Sequence, residues 1–324
     1  MVAFRKPSVT YAYNVAAELA ALRAWRDHKL GRQLAPRTDT NRLIATWNIA
    51  NLGVQQRRPD DYRLIAEIIS WFDLVAVQEV TDNLDGLRAI MQHLPGWAML
   101  CSDTGGNNER AAFLYRVGRI TLAEKVGEVA VPVGAREDIK LEGIDVPFCG
   151  FDRNPYLAAF RAGNITFVLV NVHLFFGSDK DEDVKRRALE AYAVGRWADL
   201  RRKSKNAYTK HIICLGDFNL PSRNETDAVY TALRARGLYL PEYGTTVPEH
   251  ADVPENSNIS DDHPFDQLAV VPGMKNRLSR PRPFDYDGAV FKDLYDTHGQ
   301  TVFRAYLRYY LSDHRPVWTK LDVS

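Results

Sequence analysis

The chain has 324 residues, with 42 Lys and Arg against 41 Asp and Glu and a formal net charge of +1 at pH 7. Hydrophobic residues at 45% and charged residues at 26% are ordinary for a folded globular protein, which excludes disordered, collagen-like and coiled-coil architectures. No apolar run reaches the length of about 18 residues that a membrane-spanning helix needs, and a protein holding a polyanion by global charge alone would be more basic, so any nucleic-acid role must rest on a local site.

The first forty residues stand apart as a helical extension and linker. Met1 to Thr10 holds two basic residues but no apolar stretch, so no secretory signal is read and a reducing, cytoplasmic setting is the expectation. The three cysteines (Cys101, Cys149 and Cys214) form no C-x-x-C pair, so neither a disulfide framework nor a zinc knuckle is expected. Asn14 is placed to cap a helix whose apolar positions Val15, Leu19 and Leu22 recur at helical spacing, with Gly31 as a stop signal. The polar stretch from Arg32 to Asn41, which contains Pro36, reads as the linker.

Residues 41–324 read as a second region. Strands are predicted at Leu43–Trp47, Leu74–Val77 and Ala112–Tyr115, with helices over Tyr62–Phe72 and Leu84–Leu94. The second half varies the same theme. Strands at Tyr156–Phe160 and Ile165–Val172 precede a long charged helix, Glu182 to Arg202, whose Arg186–Lys205 charge run reads as a solvated face. A strand at His211–Leu215, a helix at Asp227–Arg236 and strands at Phe265–Val271 and Arg315–Leu321 complete the chain. Strands alternating with helices predict a layered α/β or α+β organisation.

The chemistry falls at the ends of those strands. Trp47-Asn48, Gln78-Glu79, Asn171-Val172-His173 and Gly216-Asp217-Phe218-Asn219 each follow an apolar run, and Ser312-Asp313-His314 precedes the last strand. Carboxylates and imidazoles are costly to bury unpaired, so they are poor packing choices there. Gathered at one sheet edge, they would make a hard-oxygen pocket flanked by two histidines.

With Phe265-Asp266-Gln267-Leu268, this ordered set resembles the endonuclease/exonuclease/phosphatase superfamily, of which deoxyribonuclease I is a member; the resemblance spans about Leu43 to Leu321. It implies a single catalytic domain with a four-layer α/β sandwich, two packed, mostly antiparallel sheets flanked by helices. It implies a divalent ion, Mg²⁺ or alternatively Mn²⁺, held by Glu79 with Asn48 and Asp313, because Mg²⁺ favours oxygen ligands. His314 would be the general base, held by Asp266, while Asp217 and Asn219 position water and phosphate. His173 would protonate the leaving oxygen with Glu109 as its support, as in the deoxyribonuclease-like branch. Arg153 and Arg110 are the expected phosphate contacts.

Two departures bear on substrate. The groove-reading Arg and Tyr of the deoxyribonuclease I pattern are replaced by Thr81 and Asn107, and its paired cysteines are absent. The leading expectation is a Mg²⁺-dependent phosphodiesterase acting on DNA. The alternative keeps the catalytic core and changes the substrate to a phospholipid or an inositol phosphate.

Overall fold

The computed structural model describes residues 1–244 and 253–324. In chain order the elements are α1 (Val15–His28), β1 (Asn41–Leu52), α2 (Pro59–Ser70), β2 (Leu74–Thr81), α3 (Asp85–Met91), β3 (Trp97–Cys101), β4 (Glu109–Arg116) and β5 (Thr121–Glu128). Then follow β6 (Tyr156–Ala162), β7 (Ile165–His173), α4 (Asp181–Lys203), β8 (Ile212–Asp217), α5 (Ala228–Arg234), β9 (Asp266–Val270), β10 (Arg282–Pro283), α6 (Lys292–Tyr310) and β11 (Val317–Asp322).

Two mixed sheets form the centre. One runs β10-β11-β1-β2-β4-β3 and the other β5-β6-β7-β8-β9. Each holds a parallel pair, β1 with β2 and β7 with β8, while the remaining ladders are antiparallel. The parallel pairs are buried nearly throughout, which is why they read as apolar runs rather than as alternating strands.

Ile44, Ala76 and Phe113 from the first sheet meet Phe160, Phe167 and Val170 from the second in one core, which continues onto α4 and α5. A second core joins the outer face of the first sheet to α2 and α6 through Trp47, Ile65, Phe291 and Tyr306. The layers are therefore helix, sheet, sheet, helix, the expected four-layer sandwich.

Asn14 caps α1 as expected, its side-chain oxygen accepting from the amides of Ala16 and Ala17. Leu22 of α1 is fully buried in the second core. Trp25 Nε1 donates to Asp285 Oδ1 at 3.0 Å, and Arg32 pairs with the same carboxylate. The extension is thus packed on the helical layer.

Several elements depart from the expectation, the short strands β3 and β10 among them, and three are instructive. The helix α6 was not predicted, because Gly299 breaks its period with a φ of +74°. The edge strand β5 carries exposed charged residues that disguise its alternation. The charge run of α4 is not simply a solvated face: Arg187 and Glu190 are fully buried and Asp199 is nearly so.

Candidate active site

The parallel pairs of the two sheets face each other, and their carboxyl ends meet at one edge of the sandwich. Under that edge the sheets are joined by polar contacts. Gln78 Nε2 donates to Thr46 Oγ1 at 3.0 Å and to Asn171 Oδ1 at 2.6 Å, and Asn171 Nδ2 donates to the carbonyls of Val77 and Ala112. Satisfied buried amides of this kind set the register of one sheet against the other.

Close strand approach needs glycine here. A Cβ on Gly216 would lie 2.0 Å from the Val172 carbonyl oxygen, and its φ is +141°. Beside it, Glu79 and Asn219 sit in the left-handed region at φ +60° and +48°. Glu79 lies in an irregularity where the β2–β4 pairing skips from Val77 to Val80. A non-glycine residue in this region is uncommon and costs free energy, so the surrounding contacts must hold it. They do: Glu79 Oε2 accepts from the Asn51 amide at 2.7 Å and Oε1 from Asn48 Nδ2 at 2.9 Å.

Asn48 Nδ2 also donates to Asp217 Oδ2 at 3.0 Å, so one amide ties the two carboxylates of the two sheets together. Its Oδ1 is buried without a hydrogen-bond partner. An orphaned carbonyl oxygen beside Glu79 and Asp217 is a donor set suited to a hard divalent ion. Asp217, Asp266 and His314 also bring ligand atoms within 4.8 Å of one another. In that set, however, Asp266 and His314 are already committed to each other.

His314 Nδ1 lies 2.8 Å from Asp266 Oδ2, and its Nε2 lies 3.9 Å from Asp217 Oδ2. The ring is held from behind as well. Ser312 Oγ donates to the Asn48 carbonyl at 2.7 Å and accepts from the His314 amide, while Trp47 Nε1 donates to the His314 carbonyl at 2.8 Å. Burial alone would lower the His314 pKa; the charges of Asp266, Asp217 and Asp313 overcome it and raise the value well above the ordinary one. Burial also pushes the Asp266 carboxyl up, opposed by His314.

On the opposite side, His173 Nε2 lies 3.7 Å from Asp217 Oδ2, and its Nδ1 lies 2.5 Å from Glu109 Oε1. Burial and Arg153 depress the His173 pKa, but Glu109 and Asp217 outweigh them, so the imidazole is raised. Asp217 lies between both rings. Burial alone would raise its pKa, but His314, His173, Asn48 and the Asn219 amide bring it below the ordinary value.

Asn48, Glu79, Glu109, His173, Asp217, Asn219, Asp266 and His314 therefore converge. Asn219 donates through Nδ2 to the Leu174 carbonyl at 2.7 Å, and its own amide donates to Asp217 Oδ1. Asp313 sits at the margin, its Oδ2 3.0 Å from Arg308 Nε; burial and the neighbouring Glu79 push its pKa up.

The two expected phosphate contacts are engaged within the protein. Arg153 is buried and donates to the carbonyls of His173 and Leu174 at 3.0 and 2.6 Å, with Nη1 3.5 Å from Glu109. Arg110 pairs with Asp82 and donates to the Ser102 carbonyl at 2.6 Å.

Arg187 and Glu190 of α4 were not among the expected site residues. Arg187 donates to the carbonyls of Phe175, Phe176, Ser178 and Asn219, and Glu190 accepts from the amides of Asp152 and Phe175. Arg187 therefore grips the loops after His173 and Asp217, and Glu190 ties the loop after His173 to the segment before β6. Their signal was the i, i+3 spacing of opposite charges on a helix that had otherwise been read as solvated.

No protein-family model matches the chain. A deoxyribonuclease from Thioalkalivibrio sp. (strain K90mix) is 30% identical over 245 residues, 71% of this chain and 61% of that protein, so the chain spans less than two thirds of the relative's length. An endonuclease/exonuclease/phosphatase family protein from Bacteroides thetaiotaomicron superposes with a TM-score of 0.55 at 20% identity, over 88% of this chain and 98% of that one. A mannosyl-6-phosphatase from the same species gives 0.51 at 20% identity, over 86% and 98%. The chain therefore shares the four-layer fold of these endonuclease/exonuclease/phosphatase proteins.

Proposed function

We propose that the protein is a divalent-metal-dependent phosphodiesterase that cleaves DNA. The observation that carries this reading is the convergence of two imidazoles, each backed by its own carboxylate, on opposite sides of Asp217. An arrangement with one base and one acid across a shared carboxylate suits in-line displacement at phosphorus, with water entering on one side and an alkoxide leaving on the other. The similarity to a protein named a deoxyribonuclease supports DNA as the polymer.

Glu79, Asn48 through its free Oδ1, and Asp217 would hold the ion, which when bound supplies charge that offsets the developing negative charge on phosphate. In its neutral form, His314 takes the proton of the attacking water at Nε2 while Asp266 fixes the ring through Nδ1 and stabilises the imidazolium that results. Asp217, with Asn219 at its back, orients the water between the rings. His173 gives its proton to the leaving oxygen, and Glu109 holds the ring for that transfer.

The test is nicking of supercoiled plasmid DNA by the native protein with Mg²⁺, with EDTA and with His314→Ala in place of the native chain. Cleavage that needs both the metal and His314 is the expected result. If a folded protein with Mg²⁺ leaves DNA intact but hydrolyses a phospholipid or an inositol phosphate, the catalytic core stands and the substrate assignment falls.

A further inference from the structure

The family signature does not involve residues 1–10, yet the chain runs them past the catalytic edge. Downstream, the segment is fixed at Tyr11, whose carbonyl accepts from Arg58 Nη1 at 2.9 Å and from the Tyr306 hydroxyl at 3.1 Å. Tyr13 continues the anchor, with its hydroxyl donating to Asp61 at 2.7 Å and the Arg58 guanidinium 4.7 Å from its ring centroid. Upstream, the Phe4 ring lies 3.5 Å from the guanidinium carbon of Arg308. Further on, the Met1 nitrogen donates to the Asn107 carbonyl.

These contacts define a path. Arg308 pairs with Asp313, which precedes β11; Asn107 precedes β4; and the sheet order places β1 and β2 between those two strands. The stretch from Phe4 to Met1 therefore runs along this edge from the β11 side to the β4 side, and Arg5 and Lys6 follow Phe4 at its Arg308 end.

Charge gives the crossing a role. A net charge of +1 leaves polyanion affinity to local cations, and Arg153 and Arg110 are consumed by internal partners. Beside the Asp313 side of the site, Arg308 is half-exposed and paired with Asp313, with its guanidinium carbon 3.5 Å from the Phe4 ring centroid. Arg5 and Lys6 are exposed on the segment itself, and neither pairs with a carboxylate among the described residues.

We infer that residues 1–10 form a wall of the substrate groove and contact phosphates of a DNA strand next to the one being cleaved, with Arg5 and Lys6 as the cations and the Phe4–Arg308 contact fixing the segment beside them. This inference rests on the nuclease reading above and extends it from the reacting phosphate to its neighbours. It makes the segment a determinant of strand length: a substrate with one phosphate gains nothing from it.

The experiment compares the full chain with Arg5→Ala/Lys6→Ala and with Phe4→Ala. Binding of a fluorescein-labelled single-stranded 20-mer is followed by anisotropy in EDTA across a salt series. Turnover of the same oligonucleotide and of bis(p-nitrophenyl) phosphate is followed with Mg²⁺. The double variant should bind the 20-mer about fivefold to tenfold more weakly, with a salt slope shallower by about 0.7 to 1.4, in line with the loss of one or two phosphate contacts on a single strand. Its rate on bis(p-nitrophenyl) phosphate should stay within about twofold of the native value, since no neighbouring phosphate is present.

Unchanged oligonucleotide affinity and salt slope in both variants would overturn the inference. So would tighter binding or faster turnover, which would make the segment an obstruction instead. If the native protein cleaves neither substrate, the nuclease reading fails, while the anisotropy series still decides whether the segment contacts the strand.

Discussion

His314 Nδ1 and Asp266 Oδ2 meet at 2.8 Å, although 48 residues separate them and Asp266 opens β9 whereas His314 stands before β11. Each strand belongs to a different sheet, so the contact exists only when the sandwich is closed. Asp266 is fully buried, and its amide is held by Ser257 Oγ at 2.9 Å. The imidazole thus presents Nε2 to the reaction side in one orientation. His314→Ala should lower the rate of DNA cleavage by about 10³-fold or more, and Asp266→Asn should lower it by at least about 10²-fold, as removal of a positioned base and of its orienting carboxylate does. Single-turnover cleavage with Mg²⁺ in excess checks this. An Asp266→Asn protein with native kcat would remove the dyad from the mechanism.

The His173–Glu109 pair calls for a different readout, because a leaving-group acid matters only when the leaving group is poor. His173→Ala should slow DNA cleavage by about 10²-fold or more. On bis(p-nitrophenyl) phosphate, whose leaving group departs without a proton, the same variant should lose less than about tenfold. Equal losses on both substrates would show that His173 positions phosphate instead of donating a proton. Glu109→Gln should follow the same split with smaller losses.

The candidate site was legible in the sequence, as a set of residues that converge, because they break a strong local rule. Asn48, Glu79, His173 and Asp217 each end an apolar run that otherwise reads as a buried strand, and a charged or amide group there is expensive unless it is paired or used. Their order along the chain carried the superfamily resemblance. What stayed hidden depends on partners distant in sequence. Arg153 reads as a free cation, but its acceptors are carbonyls some twenty residues downstream. Arg308 lies on α6, whose helical period Gly299 interrupts, so neither the helix nor its closeness to Asp313 could be seen from spacing. Phe4 reaches Arg308 across about three hundred residues, a contact with no local pattern at all.

Asp199 offers a test of stability that does not touch the active site. Burial would raise its pKa, but Lys203, Arg202 and Arg236 close around the carboxylate and bring it below the ordinary value. A depressed folded pKa means that the unfolded chain binds the proton more readily, so the contribution is complete above the unfolded value of about 3.9 and is lost as pH falls through the folded one. The partner cations are from about a quarter to more than half exposed, which weakens each pair by solvent screening. Asp199→Asn should therefore cost about 1–2 kcal/mol at pH 7. The gap between variant and native protein should shrink steadily below about pH 4. Urea unfolding at a series of pH values measures it; a gap independent of pH would show that packing, not charge, holds Asp199.

Arg187 and Glu190 connect the outer helix to the loops beside the candidate site, and separate loss of each should have distinct effects. Arg187 is fully buried and donates to four carbonyls in the segments after His173 and Asp217. Arg187→Met keeps the stem and leaves those carbonyls unpaired, so it should cost about 3 kcal/mol or more, since each unsatisfied buried group costs about 1–3 kcal/mol. Glu190 is also fully buried, and burial pushes its pKa up against the two backbone amides and the cations of Arg186 and Arg153 that favour the anion. Glu190→Gln keeps one acceptor and the shape of the side chain, so it should fold with a smaller loss. Its effect should fall on kcat, because the Phe175 amide that it releases lies two residues from His173 and the Asp152 amide lies next to Arg153, which itself holds the His173 carbonyl. A several-fold fall in kcat on DNA with KM unchanged would identify Glu190 as a positioning residue for the acid side of the site. Native kcat in a Glu190→Gln protein of lowered stability would confine its role to holding α4 on the sheet.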